Sequence, residues 1–198
     1  MPPETRPPLT VVKVGGSLLA DPDRVRSVLG GLAYGIEGTC IVVPGGGPFA
    51  DAVRTAQAVE GFGDAEAHRL ALDAMGRMAA RFATLEPRLV IARTLDECRR
   101  LLSEGCTPVW DPVMLRAGHP DIAESWDVTS DSLAVWLAQA VGAEACILVK
   151  SADRPPGTTL DDLSARGLVD AAFPAFARDF AGRIEIRGPA LATSRRAA

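Results

Sequence analysis

LTVVKVGGS, residues 9–17, is the stretch on which the fold turns. Leu9–Val14 is a short β-branched run, of the kind that forms a buried strand. It carries a single charge, Lys13, and breaks at Gly15-Gly16-Ser17. A second apolar run, Cys40–Val43, breaks in the same manner at Pro44-Gly45-Gly46-Gly47. Between them, Asp21 to Tyr34 has helical spacing, with Val25, Val28, Leu29 and Leu32 on one face.

The alternation continues along the chain. Helical spacing covers Phe49–Val59 and Asp64–Leu85, the second with Leu70, Ala74, Met78 and Phe82 at steps of four. Further strands are expected at Leu89–Ala92, Pro108–Trp110, Ala145–Lys150 and Arg183–Arg187, and a helix at Leu95–Leu102 closed by Gly105. A loop rich in Pro, Gly and charge occupies Asp111–Asp127. Thr129 or Ser130 can cap the next helix, which ends at Gly142. One or two short helices are expected between Leu160 and Phe180. Strands alternating with helices predict an α/β fold, a three-layer αβα sandwich with a mostly parallel central sheet. Ligands of such sheets bind at the carboxyl ends of the strands, where both Gly-rich loops lie.

The 198 residues suit one domain, expected over residues 9–191, with a Pro-rich disordered arm at 1–8 and a flexible tail at 192–198. A net charge of −4 disfavours non-specific nucleic-acid binding, and no apolar run approaches the roughly 20 residues needed to cross a bilayer. The N-terminus lacks a signal-peptide pattern, and none of the four cysteines forms a CxxC pair. We therefore expect a cytoplasmic protein with reduced, structural thiols. His68 and His119 have no metal-ligand spacing, so no protein metal cluster is expected.

Of the 21 basic residues, only Lys13 and Lys150 are lysines, each at or near the end of an apolar strand. Lysine is a compact point charge that can follow a moving phosphoryl group, whereas arginine is a planar fork. The loop after Lys13 is neither GxxxxGK[ST] nor GxGxxG, but its glycines allow close approach to a phosphate and their N–H groups can face its oxygens. A tight strand-to-helix turn would explain it equally well. Gly45-Gly46-Gly47 directly precedes a helix, whose N-terminus adds partial positive charge, and three glycines exceed what a turn alone would need. Thr129-Ser130-Asp131-Ser132 opens another helix. Ordinary capping accounts for it, except that Asp131 could also hold the two lysines by ion pairing. Taken together, these elements suit phosphoryl transfer, which needs positioning and charge neutralisation rather than a covalent intermediate.

KVGGS at 13–17, PGGG at 44–47 and TSDSLA at 129–134 resemble, in order and spacing, the amino acid kinase superfamily of acetylglutamate, glutamate, aspartate, carbamate and uridylate kinases. The resemblance implies ATP with Mg²⁺, a small-molecule acceptor and a homo-oligomer, commonly a dimer or a multiple of one. It puts Lys13, Gly15, Gly16 and Ser17 at the ATP phosphates, Gly45, Gly46 and Gly47 at the acceptor, and Asp131 as organiser of the lysines. Ser151 and Asp153 fall in the segment that touches the nucleotide in relatives. That segment departs from the common Thr-Asp pattern by carrying Lys150-Ser151, and the family's later catalytic lysine has no counterpart beyond it. Lys150 is expected to replace it.

PGGGPFADAVR at 44–54, AHRLA at 67–71 and WDVTSDSLA at 126–134 are similar to a narrower group, the aminomethylfuran-methyl phosphate kinases of methanofuran biosynthesis. These turn a phosphate monoester into a diphosphate. The match implies acceptor contacts from Asp127, Thr129 and Ser130, and from His68 to the phosphate, where an ordinary helical histidine is the alternative. Arg54, one turn along its helix from Asp51, could grip the phosphate and Asp51 an ammonium group, and surface solvation explains both equally well. The alternatives are a carboxylate kinase for a small amino acid and a non-catalytic relative that binds nucleotide or oxyanion.

Overall fold

The structure, a computed structural model, describes residues 8–189. The expected arm (apart from Pro8) and the expected tail lie outside the described residues. The chain runs β1 (Leu9–Val14), α1 (Pro22–Ala33), β2 (Thr39–Pro44), α2 (Gly47–Glu60), α3 (Asp64–Leu85), β3 (Leu89–Ala92), α4 (Leu95–Ser103) and β4 (Thr107–Trp110). It continues through α5 (Ser130–Val141), β5 (Ala145–Val149), α6 (Leu160–Ala165), α7 (Phe173–Asp179) and β6 (Arg183–Arg187).

The six strands form one sheet in the order β3-β4-β2-β1-β5-β6, and every pairing is parallel. The expected α/β sandwich is therefore borne out. Two 3-10 helices, Gly16–Ala20 and Pro112–Ala117, occupy stretches expected to be loop. Local chemistry accounts for the helix ends. The Asp21 carboxylate accepts the Arg24 N–H at 3.0 Å ahead of Pro22, and Gly61 and Gly142 end α2 and α5 in left-handed conformation.

A strand's side chains alternate between faces, and this period decides where charge can go. On β1, Val12 and Val14 enter the core on the side of α1, together with Leu29, Val42 and Phe82. Val11 enters the opposite core, with Leu133, Leu137 and Leu148 beneath α5. Lys13 shares the parity of Val11 and so points toward α5. Lys150, just past β5, shares the parity of Leu148 and points the same way. The sheet thus delivers both lysines to one helix.

The loops after β1 and β2 touch through their backbones. A Cβ on Gly16 would lie 2.3 Å from the backbone of Gly47, and one on Gly45 would lie 2.7 Å from the Gly16 nitrogen. Gly47 itself has φ +52°, a left-handed value suited to glycine. A Cβ on Gly46 would meet that of Ala50 at 2.5 Å. The triple glycine therefore has a packing reason at every position, contrary to the expectation that a turn alone would not need three.

Gly16→Ala should lower stability by about 2 kcal/mol, because the clashing atoms are backbone and cannot rotate away. Gly31→Ala, in the interior of α1 with no neighbour nearer than 3.6 Å, should instead raise it by about 0.5–1 kcal/mol. Urea unfolding of both variants checks the opposite signs.

Candidate functional site

α5 is apolar through most of its length but opens with three buried polar residues, Ser130, Asp131 and Ser132. Asp131 lies under the lysine face of the sheet. One carboxylate oxygen pairs with the Lys13 ammonium at 2.8 Å and the other accepts from Lys150 Nζ at 2.5 Å. Asp131 and Lys13 are buried, their side chains 6% and 7% exposed, and Lys150 is mostly covered, at 13%. Lys150 is thus an ion-paired residue rather than a solvated one, and Arg24 of α1 secures its backbone by donating to the Lys150 carbonyl at 2.7 Å.

Burial alone would raise the pKa of Asp131, but Lys13 and Lys150 together hold it below the ordinary carboxylate value. Lys150 is pulled down to about 8, first by burial and then by the neighbouring Lys13 charge, against the opposing pull of Asp131. The thiols of Cys40 and Cys146 are pushed up to about 12, chiefly by burial, so both stay protonated and inert.

Lys13 also borders a cleft of about 530 Å³ at the carboxyl end of the sheet. The cleft is lined by Gly16 and Ser17 from the first loop, Gly45, Gly46 and Gly47 from the second, and Asp51, Arg54, His68, Thr129 and Ser130. Leu72, Met75 and Leu133 supply an apolar floor. The amides of Gly46 and Gly47 sit at the N-terminus of α2, where helical geometry leaves N–H groups without an intrahelical acceptor. Those of Gly15 and Gly45 are already used, donating to the carbonyls of Val149 and Val14 at 2.9 Å each. Gly15 is itself buried and does not line the cleft, and its N–H is spent, a correction to the expected phosphate cradle.

His68 is buried, and its Nδ1 lies 3.2 Å from the Ser125 carbonyl. A carbonyl only accepts, so Nδ1 carries the hydrogen in that bond. Arg54 stacks on the Trp126 ring, its guanidinium carbon 4.0 Å from the centroid, and pairs loosely with Asp51 at 3.5 Å. Trp126 is held by a 2.7 Å bond from its Nε1 to Gln57. On the other side of the first loop, the Ser17 and Ser151 hydroxyls bond at 2.9 Å, tying that loop to the end of β5. Asp153 is exposed, further out along the same segment.

Two expectations need correcting. Asp127 is exposed and does not line the cleft; its carbonyl accepts from Ala172 instead. Thr129 occupies the N-cap position of α5, but neither it nor Ser130 caps with its side chain. The Thr129 hydroxyl donates to Asp170 at 2.8 Å, and Asp170 also accepts from the N–H of Thr129 at 2.9 Å and of Ser132 at 3.0 Å, and from the Ser132 hydroxyl. Asp170 is the polar residue that sequence reasoning missed. Its signal was an acid inside the apolar run Leu168–Phe173, since an acid in such a run needs partners if buried. Trp126 and Gln57 gave no comparable signal.

Comparison with known proteins agrees with this geometry. Residues 8–85 match the amino acid kinase family. The chain is 28% identical over 181 residues to [5-(aminomethyl)furan-3-yl]methyl phosphate kinase of Methanocaldococcus jannaschii, covering 86% of this chain and 83% of that one. Its fold is similar to uridylate kinase of Archaeoglobus fulgidus, with a TM-score of 0.68 at 18% identity over 90% of each chain. It is also similar to UMP kinase of Bacillus anthracis, with a TM-score of 0.64 at 15% identity over 94% of this chain and 90% of that one. The resemblance expected from the motifs is borne out.

Asp131→Asn would leave two buried ammonium groups without a carboxylate and should cost about 3 kcal/mol in urea unfolding at neutral pH. In the wild-type protein the contribution of Asp131 is complete above its ordinary pKa of 3.8 and disappears as pH falls through the lower folded value. The variant should lack this part of the acid limb.

Proposed function

Taking as premise that the chain is a relative of the amino acid kinases, we propose that it is an ATP-dependent phosphotransferase. It converts a phosphate monoester, [5-(aminomethyl)furan-3-yl]methyl phosphate, to its diphosphate in methanofuran-type one-carbon cofactor biosynthesis. One observation supports this above all: a single buried carboxylate holds both of the chain's lysines beside two Gly-rich loops that touch each other.

In this reading the nucleotide lies over the first loop, Ser17, Ser151 and Asp153, and the acceptor lies in the cleft. An acceptor phosphate oxygen attacks the γ-phosphorus, the bond to the bridging oxygen breaks, and ADP leaves. The acceptor is largely a dianion at neutral pH, so it needs no general base. Lys13 and Lys150 neutralise charge as it develops on the transferring group, and Asp131 holds both ammonium groups in register. The helix N-terminus at Gly46 and Gly47 binds the acceptor phosphate, assisted by Arg54; His68, whose Nδ1–H goes to Ser125, can donate to it from Nε2 only as the imidazolium. Leu72, Met75 and Leu133 suit a flat ring, and Asp51 suits an aminomethyl ammonium group. Mg²⁺ arriving with the nucleotide would supply further neutralisation of phosphate charge. Among the described residues no group of three or more His, Cys, Asp or Glu could hold a metal ion, so phosphates and water would be its main ligands.

Phosphorus NMR with Mg-ATP and the furan phosphate tests the assignment. New diphosphate resonances should grow with ADP, and Lys13→Ala and Lys150→Ala should each reduce turnover at least ~100-fold. Near-normal turnover in Lys150→Ala would remove that lysine from the reaction. Faster turnover of a small amino acid carboxylate would move the assignment to a carboxylate kinase. ATP bound but left intact with every acceptor would indicate a non-catalytic relative.

Arg54→Ala should raise KM for the phosphate acceptor about tenfold with little change in kcat, the signature of a ground-state binding contact. Steady-state kinetics read the two parameters separately.

A further inference from the structure

Asp170 sits between α6 and α7, remote in sequence from the motifs of the site, yet all four hydrogen bonds described above come from the first turn of α5. One oxygen takes both N–H groups and the Thr129 hydroxyl, and the other takes the Ser132 hydroxyl. In an ordinary N-cap the Thr129 side chain would accept the Ser132 N–H. Here the aspartate does so, and Thr129 becomes a donor to it. Asp131 lies between these two anchored residues, so the direction of its carboxylate is set from the α6–α7 segment.

The charge count leads to the same residue. Lys13 and Lys150 bring two positive charges into the interior and Asp131 brings one negative. We propose that Asp170 is a positioning residue of the reaction centre: it anchors the turn that presents Asp131 and supplies the second negative charge that balances Lys13 and Lys150. The proposal uses the roles given above to these lysines, but its central claim concerns the free protein.

The groups around Lys150 come from several elements. Lys13 on β1 lowers its proton affinity, while Asp131 on α5 and Asp170 raise it. Cys146 on β5 is held protonated by burial, and Arg24 on α1 meets only the Lys150 carbonyl. Asp170 is itself pushed upward by burial and by Asp131, and its hydrogen bonds oppose that rise. Removing its charge should make Lys150 release its proton at lower pH, an effect that a purely structural helix cap would not have.

Only two lysines occur in the chain, so protein labelled with ¹³C at lysine Cε gives two lysine signals, assignable with Lys150→Arg. In the wild-type protein one should titrate near pH 8, well below the usual 10.5. Asp170→Asn keeps the side-chain shape and should lower that midpoint by roughly half to one unit, with circular dichroism unchanged. Asp170→Glu should restore most of the shift. In turnover, Asp170→Asn should reduce kcat about tenfold with KM for the acceptor nearly constant, and move the alkaline limb of kcat down with the NMR midpoint. A folded Asp170→Asn protein whose Lys150 midpoint stays within roughly 0.2 units of wild type would overturn the proposal. The NMR arm needs no substrate, so absence of turnover with every acceptor would sink the proposed function and leave this test standing.

Discussion

Two ammonium groups cannot be carried into a protein interior unless something there repays the loss of water, and this constraint shapes the whole centre. Lys13 and Lys150 stand at the ends of neighbouring central strands, β1 and β5, and the two-residue pleat turns both toward α5. That helix is apolar along its body, which lets it pack on the sheet, and polar only in its first turn, where Asp131 meets them. Asp170 then holds that turn from outside the helix. Moving any one of these elements by a single residue would place a lysine in the α1 core or Asp131 in an apolar contact.

Backbone contact between the two Gly-rich loops is the second condition. With Gly16 against Gly47, no side chain separates the loop after β1 from the start of α2. Phosphoryl transfer needs donor and acceptor phosphates within bonding reach, and a methyl between the loops would hold them apart. The glycines thus act by permitting closeness, and only some of their amides remain for an anion. The amides of Gly15 and Gly45 go to neighbouring strand ends and hold the loops in place.

The fold was legible in the sequence because each strand ended at glycine or a polar turn and each long helix had a periodic apolar face. The lysine pair was legible too, since an Arg-rich chain used lysine at only two places. What local patterns could not show were partners supplied across the fold. Thr129 and Ser130 read as caps because their neighbours allow it, but the competing acceptor, Asp170, lies about 40 residues away in sequence. Asp127 shares a motif with Asp131 yet faces solvent, because it lies in the turn before the helix, where its neighbour Val128 is the residue that enters the core. The 3-10 turns at Gly16 and Pro112 lack the length over which periodicity becomes a signal.

Why lysine was retained at these two sites follows from the geometry of one carboxylate. Asp131 gives one oxygen to Lys13 and the other to Lys150. A guanidinium is a flat fork that tends to take both oxygens of a carboxylate at once. An arginine at either position would thus compete for the oxygen its neighbour needs and leave one buried cation without a full partner. A point charge on a flexible stem needs only one oxygen, so two of them can share an acid. The composition is therefore a consequence of the site: arginine serves elsewhere, and lysine is kept where two cations must share a single buried aspartate.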